Sequence, residues 1–264
     1  MTDRPDITRA DAPSSGGVPP DWFATAFGEL YPVVYAHRTA ESAEPEAEFA
    51  CALTGLGARD CALDLCCGAG RHMGHLLRHA ERVAGVDYSA ELLGRARTAL
   101  GAAATLVRAD MRCLPFRSQF DVVFNFFTSF GYFSDEEDNR RAAREMARVL
   151  KPGGRLFMDY MNADHDVPRL VASSEREAGA RRIVERRWYD AALHRVNKTI
   201  EVLRDGRLEA RMAESVRAYG HDELRAMLGD AGLDVAETFG ACDGRPFGAG
   251  VPRLILLAVK RRDA

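Results

Sequence analysis

The sequence predicts an α/β protein, a doubly wound and mostly parallel sheet carrying an inserted antiparallel β subdomain. Three observations predict it. Apolar strand-like runs alternate with helix-period runs from residue 61 to 160, the arrangement of a parallel sheet covered on both faces. From about residue 165 the period shortens to two, and Asp205-Gly206 sits between alternating segments as a hairpin turn. After residue 220 one helical pattern precedes two further strands, which bring the main sheet to seven.

Each element has its own signal. Residues 1–20, "MTDRPDITRADAPSSGGVPP", are polar without an apolar run, so they read as a disordered tail and not as a signal peptide. A helical segment spans 21–56. Its first half, "DWFATAFGELYPVVYAHRT", sets Phe23, Phe27, Leu30 and Val34 at helical spacing, broken at Pro32, and a second helix covers about 43–56. Strands are expected at 61–66, 82–86, 104–108, 121–126 and 154–160, with helices at 71–80, 89–100 and 135–150. The last helix opens on a capping box of Ser134 and Glu137 and stops at "KPGG". The stretch "RRIVERRWYDAALHRVNKTIEVLRDGRLEARMAESVRAY" reads as three strands with turns near Asp190–Leu193 and at Asp205-Gly206. A helix carrying Leu224, Met227 and Leu228 follows, then strands at 233–239 and 253–260 joined by a glycine-rich loop.

Composition narrows the function. The chain of 264 residues carries a net charge of −3 without a basic block, which argues against a nucleic-acid surface. No apolar run approaches the ~20 residues of a membrane span. The six cysteines form neither a CxxC pair nor a zinc-spaced cluster, so no metal is expected and the thiols read as reduced, in a cytoplasmic protein.

The chemistry gathers at the carboxyl ends of the parallel strands, where a doubly wound sheet binds its ligand. These ends carry "LDLCCGAGRH" with Asp64, Cys66, Gly68, Gly70 and Arg71, then Asp87 in "GVDYS", Asp110 in "RADM", and Asn125 to Tyr132 in "NFFTSFGY". Backbone at Gly68–Gly70 suits close approach of an amino-acid or phosphate group. Asp87 can accept from both ribose hydroxyls, and Asp110 from an adenine amino group with Met111 beside the ring. A dinucleotide fingerprint needs three glycines, but Cys66 and Arg71 stand at two of its positions.

These motifs, together with "FDVVFNFF" and "RVLKPGGRLFMDY", resemble the class I S-adenosylmethionine-dependent methyltransferases over residues 57–162. The resemblance implies S-adenosylmethionine as cofactor, with 57–162 as the cofactor-binding core. It makes 21–56 an N-terminal lid, 163–219 a covering antiparallel insertion, and 220–264 the helix and hairpin that complete the core. By position, Asp64 and Gly68 would face the methionine moiety, Asp87 the ribose, Asp110 and Met111 the adenine, and the Asn125 carbonyl the ammonium. Cys66, Gly70, Arg71 and Tyr88 would be further cofactor contacts. Cys66 stands where the family usually has glycine.

The turn after the fourth strand lacks the Asn/Asp-Pro-Pro-Tyr of DNA and protein-amide enzymes. "FFTSFGYF" is instead similar to small-molecule methyltransferases, including amino-sugar N-methyltransferases, with Tyr132 in place of their usual histidine. That likeness implies methyl transfer to nitrogen or oxygen of a small-molecule acceptor in secondary metabolism. Tyr132 and His165 are the expected catalytic residues, and Tyr31, Tyr35, Arg38 and Asn162 the expected acceptor contacts. Trp188, Tyr189 and Arg217 read as filling of the insert's own core, while Arg245 and Arg253 suit either an acidic acceptor or solvent. No nucleic acid or membrane partner is expected, and a homodimer is left open. The alternative is a methyltransferase fold that serves a non-methylating reaction such as cyclisation, or a partner role.

Overall fold

Residues 17–262 are described by a computed structural model. The disordered tail expected over 1–20 therefore lies, as far as residue 16, outside the described residues. An N-terminal segment of α1 (Phe23–Ala26), α2 (Tyr31–Val34) and α3 (Ala40–Thr54) leads into the core. The core alternates β1 (Cys61–Leu65), α4 (Met73–His79), β2 (Arg82–Asp87), α5 (Ala90–Leu100), β3 (Thr105–Arg108), β4 (Phe120–Asn125), α6 (Glu136–Val149) and β5 (Leu150–Met161). After α7 (Ala163–Asp166) come the inserted strands β6 (Ser173–Ala178), β7 (Arg181–Asp190), β8 (Arg195–Arg204) and β9 (Arg207–Arg217). The chain then returns through α8 (His221–Asp230), β10 (Leu233–Phe239) and β11 (Arg253–Lys260).

The main sheet has seven strands in the order β10-β11-β5-β4-β1-β2-β3, with β11 antiparallel to both neighbours. The order reverses at β1, which pairs in parallel with β2 on one side and β4 on the other. Connections from β1 and β4 thus leave in opposite directions and open a crevice at their carboxyl ends. Leu63, Leu65, Val122, Val123 and Phe124 are fully buried there, as strands covered on both faces require.

Several local expectations change. The break in the N-terminal helix falls at Phe27–Leu30, and Pro32 sits in the first turn of α2, where its missing N–H costs nothing. Asp135, not Ser134, caps α6, its side chain accepting from Glu137 N at 2.9 Å. "KPGG" lies inside β5 as an outlooped stretch, since the pairing jumps from Phe120↔Leu150 to Val122↔Arg155.

The insert is a sheet of four strands, β6-β7-β8-β9, rather than three. Its edge strand β6, "SSEREA", has no hydrophobic alternation to announce it. Asp205 and Gly206, at φ of 50° and 73°, make the tight turn between β8 and β9. Ile183, Ile200 and Val202 of this sheet pack on Val34 and Tyr35, so the N-terminal segment and the insert share one apolar cluster. Among the described residues no helix is long and apolar enough to cross a membrane.

Candidate active site

A cavity of about 490 Å³ opens at the switch point. Its floor is the turn after β1, the ends of β2 and β3, and the loop after β4. Its roof comes from Trp22, Phe23, Phe27, Tyr31, Tyr35 and Arg38 of the N-terminal segment and from Glu214 and Val216 of β9.

The floor is built on backbone. Cys66 and Gly68 take left-handed conformations, φ 66° and 55°, which turn the chain sharply out of β1. A Cβ at Gly68 would meet nothing nearer than Leu92 Cδ1 at 3.8 Å, so the turn leaves room for a ligand against the main chain. Gly68 N donates to Asp87 Oδ2 and Ser89 N to Oδ1, each at 2.8 Å. These two bonds fix the Asp87 carboxylate at the cavity wall, and burial pushes its pKa up. Asp110 also lines the cavity, but Arg112 grips it through Nε and Nη2, the shortest contact being 2.7 Å. Burial raises the Asp110 carboxyl; the Arg112 bonds outweigh that and hold it low. Tyr88 and Met111 complete this end.

Beyond β4, Phe127 and Thr128 also have positive φ, 54° and 62°. Asp159 of β5 holds them, Oδ2 accepting from Phe127 N at 3.0 Å and its carbonyl from Thr128 N at 2.8 Å. Tyr132 reaches the cavity with its ring 4.8 Å from that of Trp22 and stacked on Phe27. Burial raises its pKa well above the ordinary value, so the phenol stays neutral. The aromatic neighbours are Trp22 and Phe27, from the roof.

The structure thus gathers Cys66, Gly68, Arg71, Asp87, Tyr88, Asp110, Met111, Tyr31, Tyr35, Arg38 and Tyr132 around one space. Other expected residues lie elsewhere. Gly70 faces α5, where a Cβ would come within 2.7 Å of Leu100 Cδ1; it serves packing. Asn162 is buried and donates to Gly248 and Val251 carbonyls at 2.9 and 2.7 Å, pinning the glycine-rich loop. His165 pairs with Asp166 at 2.8 Å and stays off the wall, while Asp166 is on it. Asp64 and Asn125 sit behind the lining, almost wholly buried. Burial pushes the Asp64 carboxyl up to about 7, with Arg71 opposing and Asp87 adding to the rise.

Residues not anticipated include Trp22, His72, Phe127, Glu46 and Glu214. His72 lies flat on Phe126, ring centroids 4.0 Å apart, and meets Glu46 Oε2 at 2.6 Å. Glu214 accepts from Tyr35 hydroxyl and pairs with Lys198 at 2.9 Å. Only alternation along β9 could have pointed Glu214 to one face. Of the two loop arginines, Arg253 lines the cavity and Arg245 pairs with exposed Asp243.

The donor and acceptor set fits S-adenosylmethionine. Asp64 Oδ2 and Asn125 Oδ1, at the ends of the neighbouring strands β1 and β4, are buried acceptors without a partner. Both can accept from a cationic N–H donor such as an ammonium. Asp87 offers a fixed carboxylate for paired hydroxyls, and the turn at Gly68 offers a cradle.

Comparison with known proteins agrees. Residues 62–154 match the model of a methyltransferase domain family. The chain is 27% identical over 206 residues to dTDP-3-amino-3,4,6-trideoxy-alpha-D-glucopyranose N,N-dimethyltransferase of Streptomyces venezuelae, covering 72% of this chain and 82% of that one. Among solved structures it is similar to the sugar N-methyltransferase KedS8 from a Streptoalloteichus species (25% identity, TM-score 0.68, covering 95% and 99% of the two chains). It shares its fold with the CcbJ methyltransferase from Streptomyces caelestis (21% identity, TM-score 0.70, covering 96% and 93%). The strand order, the glycine turn and these likenesses converge: residues 62–154 carry a methyltransferase domain, the chain is an S-adenosylmethionine-dependent methyltransferase, and S-adenosylmethionine is its cofactor.

Proposed function

We propose that this enzyme methylates an amine nitrogen of a small molecule, within a biosynthetic route to a natural product. The observation that carries the reading is the cavity itself. At about 490 Å³, roofed by the N-terminal segment and β9, it has the size of small-molecule sites, roughly 300–1,000 Å³. The relatives named as sugar N-methyltransferases support an amine, and the net charge of −3 gives no attraction for nucleic acid.

When bound, the cofactor supplies an electrophilic methyl on a sulfonium, whose charge is dispersed as transfer proceeds. The protein's task is then to position the acceptor and exclude water. Trp22, Phe27, Tyr31 and Tyr132 form an apolar wall that does both. Neutral Tyr132 can orient a nitrogen through its hydroxyl without adding charge. Glu214 and Asp166 are the lining carboxylates beyond the cofactor end, able to attract a protonated amine and to take its proton before transfer.

Release of S-adenosylhomocysteine with a panel of small amines and matched hydroxyl compounds tests this. The proposal expects turnover with amines, the product heavier by one methyl. Transfer only to RNA, or only to a hydroxyl, would overturn it.

A further inference from the structure

The Asp110 carboxylate lines the cavity, yet its lone pairs are already taken. Oδ1 accepts from the Arg112 backbone N–H at 2.8 Å and from its Nε at 3.0 Å. Oδ2 accepts from Nη2 at 2.7 Å and from Nε at 3.1 Å. An ionised carboxylate has about four lone-pair sites, and these contacts use them. Arg112 is braced from its other side as well. Nη1 donates to Asp138 Oδ2, in the first turn of α6, at 2.6 Å. The guanidinium carbon lies over the ring of Phe133, 4.3 Å from its centroid. Two carboxylates and an aromatic face therefore hold one cation in place, and that cation holds Asp110.

An adenine amino group is a neutral donor. To reach Asp110 it must displace part of a two-pronged, charge-assisted pair, and bonds of that kind are the stronger ones. We infer that Arg112 withholds Asp110 from the adenine, so that the base is recognised by its faces and its fit and not by its 6-amino group. The cofactor site then takes analogues that lack that amino group. Val86, Ala109, Met111 and Phe133 line the cavity beside Asp110, and their side chains offer the ring apolar surface without an acceptor. Asp110 thus serves Arg112, where the sequence motif alone suggests that it serves the base. The inference rests on S-adenosylmethionine as the cofactor and is independent of the acceptor.

Calorimetry on the full chain tests it with S-adenosylhomocysteine and with its 6-deamino analogue, in which hydrogen replaces the amino group and N1 remains an acceptor. An amino group bonded to a free carboxylate separates the two ligands by about tenfold or more. The inference predicts a wild-type difference below tenfold. It also predicts a wider difference in Arg112→Met, which frees the carboxylate and keeps an apolar side chain over Phe133. A wild-type difference of tenfold or more overturns it. So does a folded Arg112→Met whose difference is no wider than that of the wild type, because Arg112 is then not what withholds the carboxylate. Arg112→Lys, a point charge without the planar fork, takes its place if the methionine variant does not fold. A failure to methylate any amine, with these affinities as predicted, would sink the acceptor proposal alone.

Discussion

Cys66 carries a side chain in the tight turn after β1, and the structure shows what that involves. Its φ of 66° is left-handed, a region that strains a side-chain-bearing residue by roughly 1–2 kcal/mol. Glycine removes that strain but costs about 0.5–1 kcal/mol of unfolded-state entropy. Cys66→Gly is therefore expected to be neutral or up to about 1 kcal/mol more stable in urea titration, and a clear loss would show that the thiol packs better than the turn suffers. Asp64 gives a pH signature. Burial raises its folded pKa from 3.8 to about 7, so its contribution to stability is full below about pH 3.8 and is lost as pH rises through about 7. Asp64→Asn has no proton to lose. Urea midpoints of the two proteins should diverge between pH 4 and 7 in that sense, the wild type falling relative to the variant; parallel curves would place the ionised carboxylate in a better environment than its burial implies. On the proposed function Tyr132→Phe removes a hydroxyl that orients the acceptor, so turnover should drop while affinity for S-adenosylhomocysteine holds. Full activity with the true acceptor would leave the ring as a wall only.

A buried cation helps to hold the insert to the core. Arg195 of β8 is 7% exposed and donates to the carbonyls of Phe133, Gly131, Tyr132 and Ser215 at 2.9, 3.1, 3.0 and 2.6 Å. Its Nε meets Ser215 Oγ at 2.7 Å. It ties β8 and β9 to the loop that presents Tyr132. Arg195→Met strands several of those carbonyls, at about 1–3 kcal/mol for each buried group left unpaired. We expect the variant to lose at least about 2 kcal/mol in urea titration, and proteolysis to cut first in residues 173–217. Wild-type stability would show that the carbonyls find water. At this scale the parallel strands were legible because each carries an apolar run set between helix-period or turn stretches. So was the β8–β9 turn, where Asp205-Gly206 suits positive φ at both positions. Strand β6 was not, because an exposed edge with the sequence "SSEREA" carries no period-two apolar signal. The capping residue of α6 was misplaced by one because Ser134 and Asp135 are both good caps and only tertiary position chooses.

For the whole molecule, cavity-lining residues close in sequence to a strand end were readable, as were Tyr31, Tyr35 and Arg38 of the N-terminal segment, and those delivered by the insert were not. Asp87 and Gly68 follow from their strands. Glu214, 150 residues from Asp64, is brought over the same cavity only by the return of β9. Conversely, His165 and Asn162 follow a strand end yet turn aside, one to Asp166 and one to the loop at 248–251, since a strand end supplies more residues than a cavity has walls. The central claim is that cofactor and acceptor share this one roofed space. A crystal structure with S-adenosylhomocysteine bound tests it most directly. The account predicts both ribose hydroxyls on the Asp87 carboxylate, the ammonium near Asp64 and Asn125, and the sulfur turned toward Tyr132, with the roof of residues 22–38 in place. A ribose away from Asp87, or a sulfur facing open solvent instead of the aromatic wall, would contradict it.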